Sequence, residues 1–264
     1  MEMQKLSERL ALARTIKQLE SKDPNAIRYA YGLVVETTRR KNLIDKFVDT
    51  IVAPKQIGEF NLGIQSFIRL YVYQTRAAKG WQKIGLEEAK SIAGLGRSIL
   101  GWDVMHEIEG YLGFLLTRKL EPILESASEE ERLSLNTYHP LWFVQYCIGL
   151  FGQVEAEAFL QGSMKTPPTY VRLNTLKGSE EEILQKLQTE NVKLEKVEPL
   201  QHTYKVLESK QPLNSLPSYK EGLIYIQDKA SCYAAQIANP MPGSTVFDIC
   251  AAPGAKTTDR KSVV

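Results

Sequence analysis

Apolar residues recur at helical spacing through the first half of the chain and alternate at strand spacing in much of the second. Asp23-Pro24 suits an N-cap followed by a first-turn proline, and Ile27, Tyr31 and Val34 follow three and four residues apart. Leu43, Phe47 and Ile51 repeat the spacing, as do Ile64, Phe67, Ile68, Tyr71 and Val72, and then Ile108, Leu112, Leu115 and Leu116. Each stripe is one helix face wide, which predicts helices packed on one another rather than in lipid. The stretch from Glu125 to Tyr138 breaks the pattern with Ser126, Ser128 and the run Glu129-Glu130-Glu131. That composition reads as a loop or a short exposed helix between domains.

After Tyr138 the pattern shortens. Helices are expected near Leu141 to Leu150 and Val154 to Gln161, ending at Thr166-Pro167-Pro168. Tyr170 to Asn174 alternates as a strand, with Val171 and Leu173 on one side and Tyr170, Arg172 and Asn174 on the polar side. Glu180 to Glu190 reads as a helix buried through Ile183, Leu184 and Leu187, followed by strands near Lys193 to Val197 and Thr203 to Leu207. Gly222 to Asp228 contains Leu223-Ile224-Tyr225-Ile226, apolar on both faces, which predicts a strand inside a sheet. Thr245 to Ile249 predicts a further buried strand, running into a turn of small residues.

Bulk composition narrows the class without naming it. The 264 residues allow two or more domains, and 43% hydrophobic with 24% charged residues is ordinary for a globular chain. A net charge of +2 neither requires nor excludes a nucleic acid, because a local patch matters more than the sum. No apolar run reaches the roughly 18 residues of a membrane span, and Glu2, Lys5, Glu8 and Arg9 make a poor signal peptide, so reducing cytoplasm is the expected compartment. Three cysteines without C-x-x-C spacing exclude a disulfide framework and a cysteine zinc site. His106, His139 and His202 show no ligand spacing, so no metal is expected. Cys147 and Cys232 sit in apolar or helix-like stretches and read as small hydrophobes.

The candidate chemistry lies in Asp248-Ile249-Cys250-Ala251-Ala252-Pro253-Gly254-Ala255-Lys256-Thr257. A strand entering a helix through such a corner offers unpaired N–H groups to a charged small molecule, and small side chains let it approach. A phosphate loop of the form G-x-x-x-x-G-K-[ST] would need glycines where Cys250 and Ala255 stand, and a dinucleotide loop would need three glycines where there is one. On composition alone, an ordinary corner without a ligand is as good a reading.

That segment resembles the first S-adenosylmethionine-binding motif of the Sun/Nop family of RNA (cytosine-5) methyltransferases. Gln227-Asp228-Lys229-Ala230-Ser231 resembles the family's Q-D-x-x-S element. His139-Pro140-Leu141-Trp142 and Val171-Arg172-Leu173-Asn174-Thr175 resemble its H-P-x-W and V-R-x-N-T landmarks. One departure is Gly254-Ala255, where the family usually has two glycines.

The resemblance implies a multidomain chain in three parts. Residues 1–125 are expected to form an all-α, NusB-like RNA-binding domain, followed by a linker at 126–138. Residues 139–221 would be a small α/β domain of RNA-recognition type, and 222–264 the start of a Rossmann-like methyltransferase sheet. It further implies S-adenosyl-L-methionine as cofactor, held by Cys250, Ala251, Ala252, Pro253, Gly254, Ala255 and Lys256. Asp228 is expected to orient that turn or the donor's amino group. The RNA partner would be ribosomal or transfer RNA, bound by a monomer and contacted by Arg39, Arg40 and Lys41, with Arg69, Arg76 and Lys79 extending the patch; by itself the run reads better as solvated charge at a helix C-terminus. Tyr71 and Tyr73 lie between them and are expected in the core. Arg172 and Asn174 are expected to touch RNA or brace the cofactor domain. The family's two catalytic cysteines, in Pro-Cys and Thr-Cys elements, are expected beyond this sequence, and its last six residues, Asp259 to Val264, read as a frameshifted or artificial end. No catalytic residue is therefore assigned, and no methyl transfer is expected from this chain. A non-catalytic RNA-binding protein is the alternative reading.

Overall fold

The computed structural model describes residues 6–241, 243–252 and 254, and its chain divides into two compact units, Met1–Lys165 and Thr166–Val264. The first unit is helical: α1 (Glu8–Gln18), α2 (Pro24–Arg39), α3 (Lys41–Val52), α4 (Leu62–Thr75), α5 (Leu86–Leu100), α6 (Trp102–Thr117), α7 (Glu121–Glu125), α8 (Glu129–Thr137), α9 (Leu141–Phe151) and α10 (Gln153–Ser163). Its centre is α4, flanked by α3, α5 and α6. Ile44, Phe47, Ile64, Ile68, Met105, Ile108 and Leu115 are sealed from solvent there. At about 1.5–3 kcal/mol for each buried large side chain, this core holds the unit together. Gly96 of α5 lies against the Phe67 ring of α4, so that ring packs directly on the α5 backbone. Asp23 caps α2 through the Asn25 N–H at 2.9 Å, with Pro24 in the first turn as its sequence predicts.

Two expectations hold in part: both helices form, but their burial differs from what the sequence implied. The Ile27, Tyr31 and Val34 stripe stays partly exposed, and Thr37 is the buried residue of α2. The segment expected as a linker is mostly α8, capped by Ser128 and well buried. Leu135 enters the main helical core, whereas Leu133 joins Val144, Cys147, Ala156 and Leu160 in a second cluster built from α8, α9 and α10. The acidic run misled because it forms the helix's first turn, where negative charge meets the N-terminal dipole. The buried face lies in the following turn.

The second unit contains β1 (Tyr170–Leu173), α11 (Glu180–Thr189), β2 (Val192–Lys196), β3 (Thr203–Ser209), α12 (Pro217–Lys220), β4 (Ile224–Ile226) and α13 (Lys229–Ala238). The strands form one antiparallel sheet in the order β2-β3-β1-β4. Helix α11 opens with a Ser179/Glu182 capping box and buries Ile183 and Leu187 against Val171, Leu173 and Ile224.

Strand β4 pairs with β1, Val171 opposite Ile226, so it is an edge of this small sheet and not the interior of another. Ile226 is accordingly 45% exposed. Thr245 to Ile249 is not a strand: it joins no strand ladder among the described residues and turns at Ile249–Cys250, leaving Phe247 86% and Ile249 81% exposed. A parallel-type strand holds its shape only when neighbours take up its backbone groups, and no such neighbour lies among the described residues.

Candidate functional site

The V-R-x-N-T and Q-D-x-x-S elements meet at the seam between β1 and β4. Arg172 projects from β1 but is only 2% exposed, so the polar face expected for it is covered. Its Nε donates to Gln227 Oε1 at 3.0 Å, and its guanidinium lies over the Tyr225 ring at 4.9 Å. Asn174 donates from its backbone N–H to Leu223 O and from Nδ2 to Gly222 O, both at 2.8 Å. Those bonds fix the turn that launches β4. Arg172 and Asn174 therefore brace the sheet from within and are too buried to meet RNA directly. Alternation along β1 failed as a guide because Gln227 and Tyr225 roof its second face.

Just beyond Gln227, Asp228 stands at the N-cap of α13, where its side chain makes no capping bond. With Pro167, Pro168, Tyr170, Lys229, Ala230 and Tyr233 it lines an open crevice of about 410 Å3.

The cofactor corner itself is only partly described. Cys250 is exposed, and its N–H donates to Asp248 Oδ1 at 3.0 Å, a local turn that occupies one of the N–H groups a ligand would use. Ala251 and Ala252 are exposed, and Gly254 has φ +103°, a backbone state that glycine alone tolerates well. Pro253, Ala255 and Lys256 lie outside the described residues. The small side chains and the glycine conformation fit a donor-binding turn; the strand that should support it is not formed.

The basic run is tied into its own surroundings. Arg39 pairs with Glu36 at 3.0 Å and remains exposed. Arg40 also pairs with Glu36 and lies over the Tyr138 ring at 4.9 Å, closing the junction of α2 and α3. Burial would lower its pKa, but the Glu36 hydrogen bond and the charges of Tyr138 and Glu36 raise it further. Lys41 begins α3 and lines a crevice with Arg14 and Arg69. Arg69 grips Asp45 with two bonds, 2.7 and 3.0 Å, and Lys79 pairs with Glu88 at 2.6 Å. Arg76 is 3% exposed and donates to the Leu116 and Trp81 carbonyls. Burial pushes its pKa down. Arg69 and Arg76 are buried and tie helices of the core together, whereas Lys79 is half-buried in a surface ion pair. Tyr71 is core, as its spacing implied, and Tyr73 is partly buried against it.

Two polar groupings had no sequence signal strong enough to find them. Glu180, at the start of α11, accepts hydrogen bonds from Tyr204 and His202. Arg14 reaches the Lys41 crevice from α1. Both unite residues that no single motif contains. Cys147 and Cys232 are buried as expected. Among the described residues no helix is long and apolar enough to cross a membrane, and no three His, Cys, Asp or Glu side chains group to hold a metal.

Residues 139–211 match the family model described as "Methyltr_RsmF/B-like, ferredoxin-like domain". That match and the relatives that follow support the Sun/Nop-type resemblance. It is 25% identical over 258 residues to the probable ribosomal RNA small subunit methyltransferase B of Synechocystis sp., covering 94% of this chain and 55% of the relative. The Coxiella burnetii protein of the same name is 32% identical over 153 residues, 57% of this chain and 35% of the relative. A Caenorhabditis elegans 26S rRNA (cytosine-C(5))-methyltransferase, nsun-5, is 35% identical over 118 residues, 37% of this chain and 27% of the relative. The crystal structure of PH0851 shares the fold over 95% of this chain and 55% of its own, with a TM-score of 0.62 at 23% identity. The chain thus spans about half the length of the Synechocystis relative and less of the others.

Proposed function

We propose that the chain belongs to an S-adenosyl-L-methionine-dependent RNA (cytosine-5) methyltransferase acting on ribosomal or transfer RNA in the cytoplasm. The observation carrying this reading is the domain match over 139–211, together with relatives whose names state rRNA methylation. The helical unit serves as a NusB-like RNA-binding module, and its exposed cations, Arg39 and Lys41, contact phosphates. Arg40 contributes through its field rather than by direct contact, since it is held between Glu36 and Tyr138. The Cys250–Lys256 turn holds the methionine end of the donor through backbone N–H groups. The target cytosine must leave its stack to be reached.

The chain's own cysteines do not supply the covalent step. Cys147 is 1% and Cys232 3% exposed, and Cys250 belongs to the donor turn. A thiolate nucleophile needs access and a cationic setting. Three assays of the monomeric chain test the reading. Filter binding to ribosomal RNA should weaken steeply as salt rises. Calorimetry should register S-adenosylmethionine, and Gly254→Val should abolish that signal. Labelled methyl transfer to a transcript should be absent. Turnover by this chain would overturn the view of its cysteines, and salt-independent or absent RNA retention would remove the RNA reading.

A further inference from the structure

Where β1 begins, the second unit leaves an open crevice of about 410 Å3 beside the start of α13. Pro167, Pro168, Tyr170 and Tyr233 give it an apolar and aromatic lining, and Asp228 adds a carboxylate. Pairing with β3, and a bond from the Gln227 N–H to its carbonyl at 3.2 Å, hold Tyr170 in place. Tyr170 is half-buried and Tyr233 is 48% exposed. Neither ring stacks on another among the described residues.

The Asp228 carboxylate is not used by the fold. An N-cap side chain ordinarily accepts an N–H of its own helix. Ser7, Asp23, Asn61, Ser128 and Ser179 all do so. Asp228 has the extended backbone of an N-cap, φ −65° and ψ 142°, yet its carboxylate makes no such bond. It has no ion-pair partner among the described residues either. The crevice therefore joins two unstacked rings and one available acceptor.

We infer that this crevice takes one unstacked cytosine of an RNA strand, stacked on Tyr233 and Tyr170, with its N4 amine donating to Asp228. A base turned out of its stack is held by aromatic faces and read along its hydrogen-bonding edge. A carboxylate accepts from the cytosine amine and repels the carbonyl that uracil carries at the same position. Asp228 is thereby a specificity-determining residue. The volume falls within the range of small-molecule sites. Lys229, exposed and also lining the crevice, offsets the carboxylate's repulsion of neighbouring phosphates. The inference rests on the RNA reading proposed above and deepens it by naming the base.

The test is calorimetric titration of the whole chain with oligocytidylate and oligouridylate of about eight nucleotides. The parent should bind oligocytidylate about tenfold more tightly. Asp228→Ala should erase that margin and leave oligouridylate affinity unchanged. Asp228→Ser, an equally good N-cap too short to reach the base, should erase it as well while keeping α13 capped. Tyr233→Ala, at an exposed position, should weaken both oligonucleotides about tenfold, because a stacking ring serves any base. Equal affinity of the parent for the two oligonucleotides overturns the cytosine site. So does a cytidine preference that survives Asp228→Ser, or binding that Tyr233→Ala leaves unchanged. In each of those cases ribosomal RNA still retained on a filter keeps the RNA reading standing. A parent that retains no ribosomal RNA overturns that reading and the cytosine site with it.

Discussion

Arg172 is a cation at 2% exposure, and its described partners, Gln227 and the Tyr225 ring, flank its own sheet. Removing one member of such a group leaves the others desolvated and unmet, which costs about 2–4 kcal/mol. Arg172→Ala should therefore lower the denaturant midpoint of the second unit while leaving RNA affinity nearly unchanged. Arg172→Lys should not rescue it, because an ammonium cannot reproduce a planar fork lying on Tyr225. A second residue-scale prediction concerns Glu180. Burial raises its carboxyl pKa, but hydrogen bonds from Tyr204 and His202 outweigh that and leave it below the usual carboxylate range. The Tyr204 phenol is pushed upward, by burial first and by Glu180 second. A depressed carboxylate pKa means stability that is present above the unfolded value, near 4.3, and lost as pH falls through the folded one. Glu180→Gln should cost about 1–2 kcal/mol at about pH 6, and the gap should close as pH falls through the folded-state pKa of Glu180. A gap that persists in acid would show that the loss is packing, not charge. At this scale the sequence announced the seam's residues but not their duty. Arg172 and Gln227 stand 55 positions apart, and only the register of β1 on β4 brings them together.

Helix α5 supplies its own control. A Cβ on Gly96 would meet Phe67 Cε2 at 2.3 Å and Met105 Cε at 3.1 Å, whereas one on Gly94 meets nothing within 4 Å. Alanine gains about 1 kcal/mol of helix propensity at either position. At Gly96 the Phe67 ring is walled in at 7% exposure, so overpacking of about 1–3 kcal/mol wins. Gly96→Ala should unfold at lower denaturant and Gly94→Ala at higher. Stabilisation of both would mean that α4 and α5 separate easily. Elements were legible wherever periodicity and caps agreed. The helix expected at Glu180 to Glu190 is α11, and the three strand stretches from Tyr170 to Leu207 lie within a residue or two of β1, β2 and β3. Two elements were misread for opposite reasons. Charge at the start of α8 masked a buried face in its later turns. Apolar character at Thr245 to Ile249 announced a strand whose pairing depends on neighbours that local composition does not contain.

The two units, 1–165 and 166–264, carry separate cores. The RsmF/B-like domain match begins at 139, within the helical unit, so α9 and α10 share a family model with the sheet but bury Val144, Cys147, Ala156 and Leu160 against α8. A sequence boundary drawn by motif and a compact unit drawn by packing need not coincide, and the energetics follow packing. Gly96 lies in one core and Arg172 in the other, and their described partners differ. Free-energy changes at such sites add to within about 0.5 kcal/mol. The double variant Gly96→Ala/Arg172→Ala should therefore lose the sum of the single losses, each confined to its own transition. Leu133→Ala, at the α8–α10 cluster, should act with Gly96→Ala on the helical transition and leave the sheet's unchanged. Movement of the sheet transition by Leu133→Ala would mean that α9 and α10 fold with the ferredoxin-like domain, as the family model groups them, and would return the boundary to residue 139.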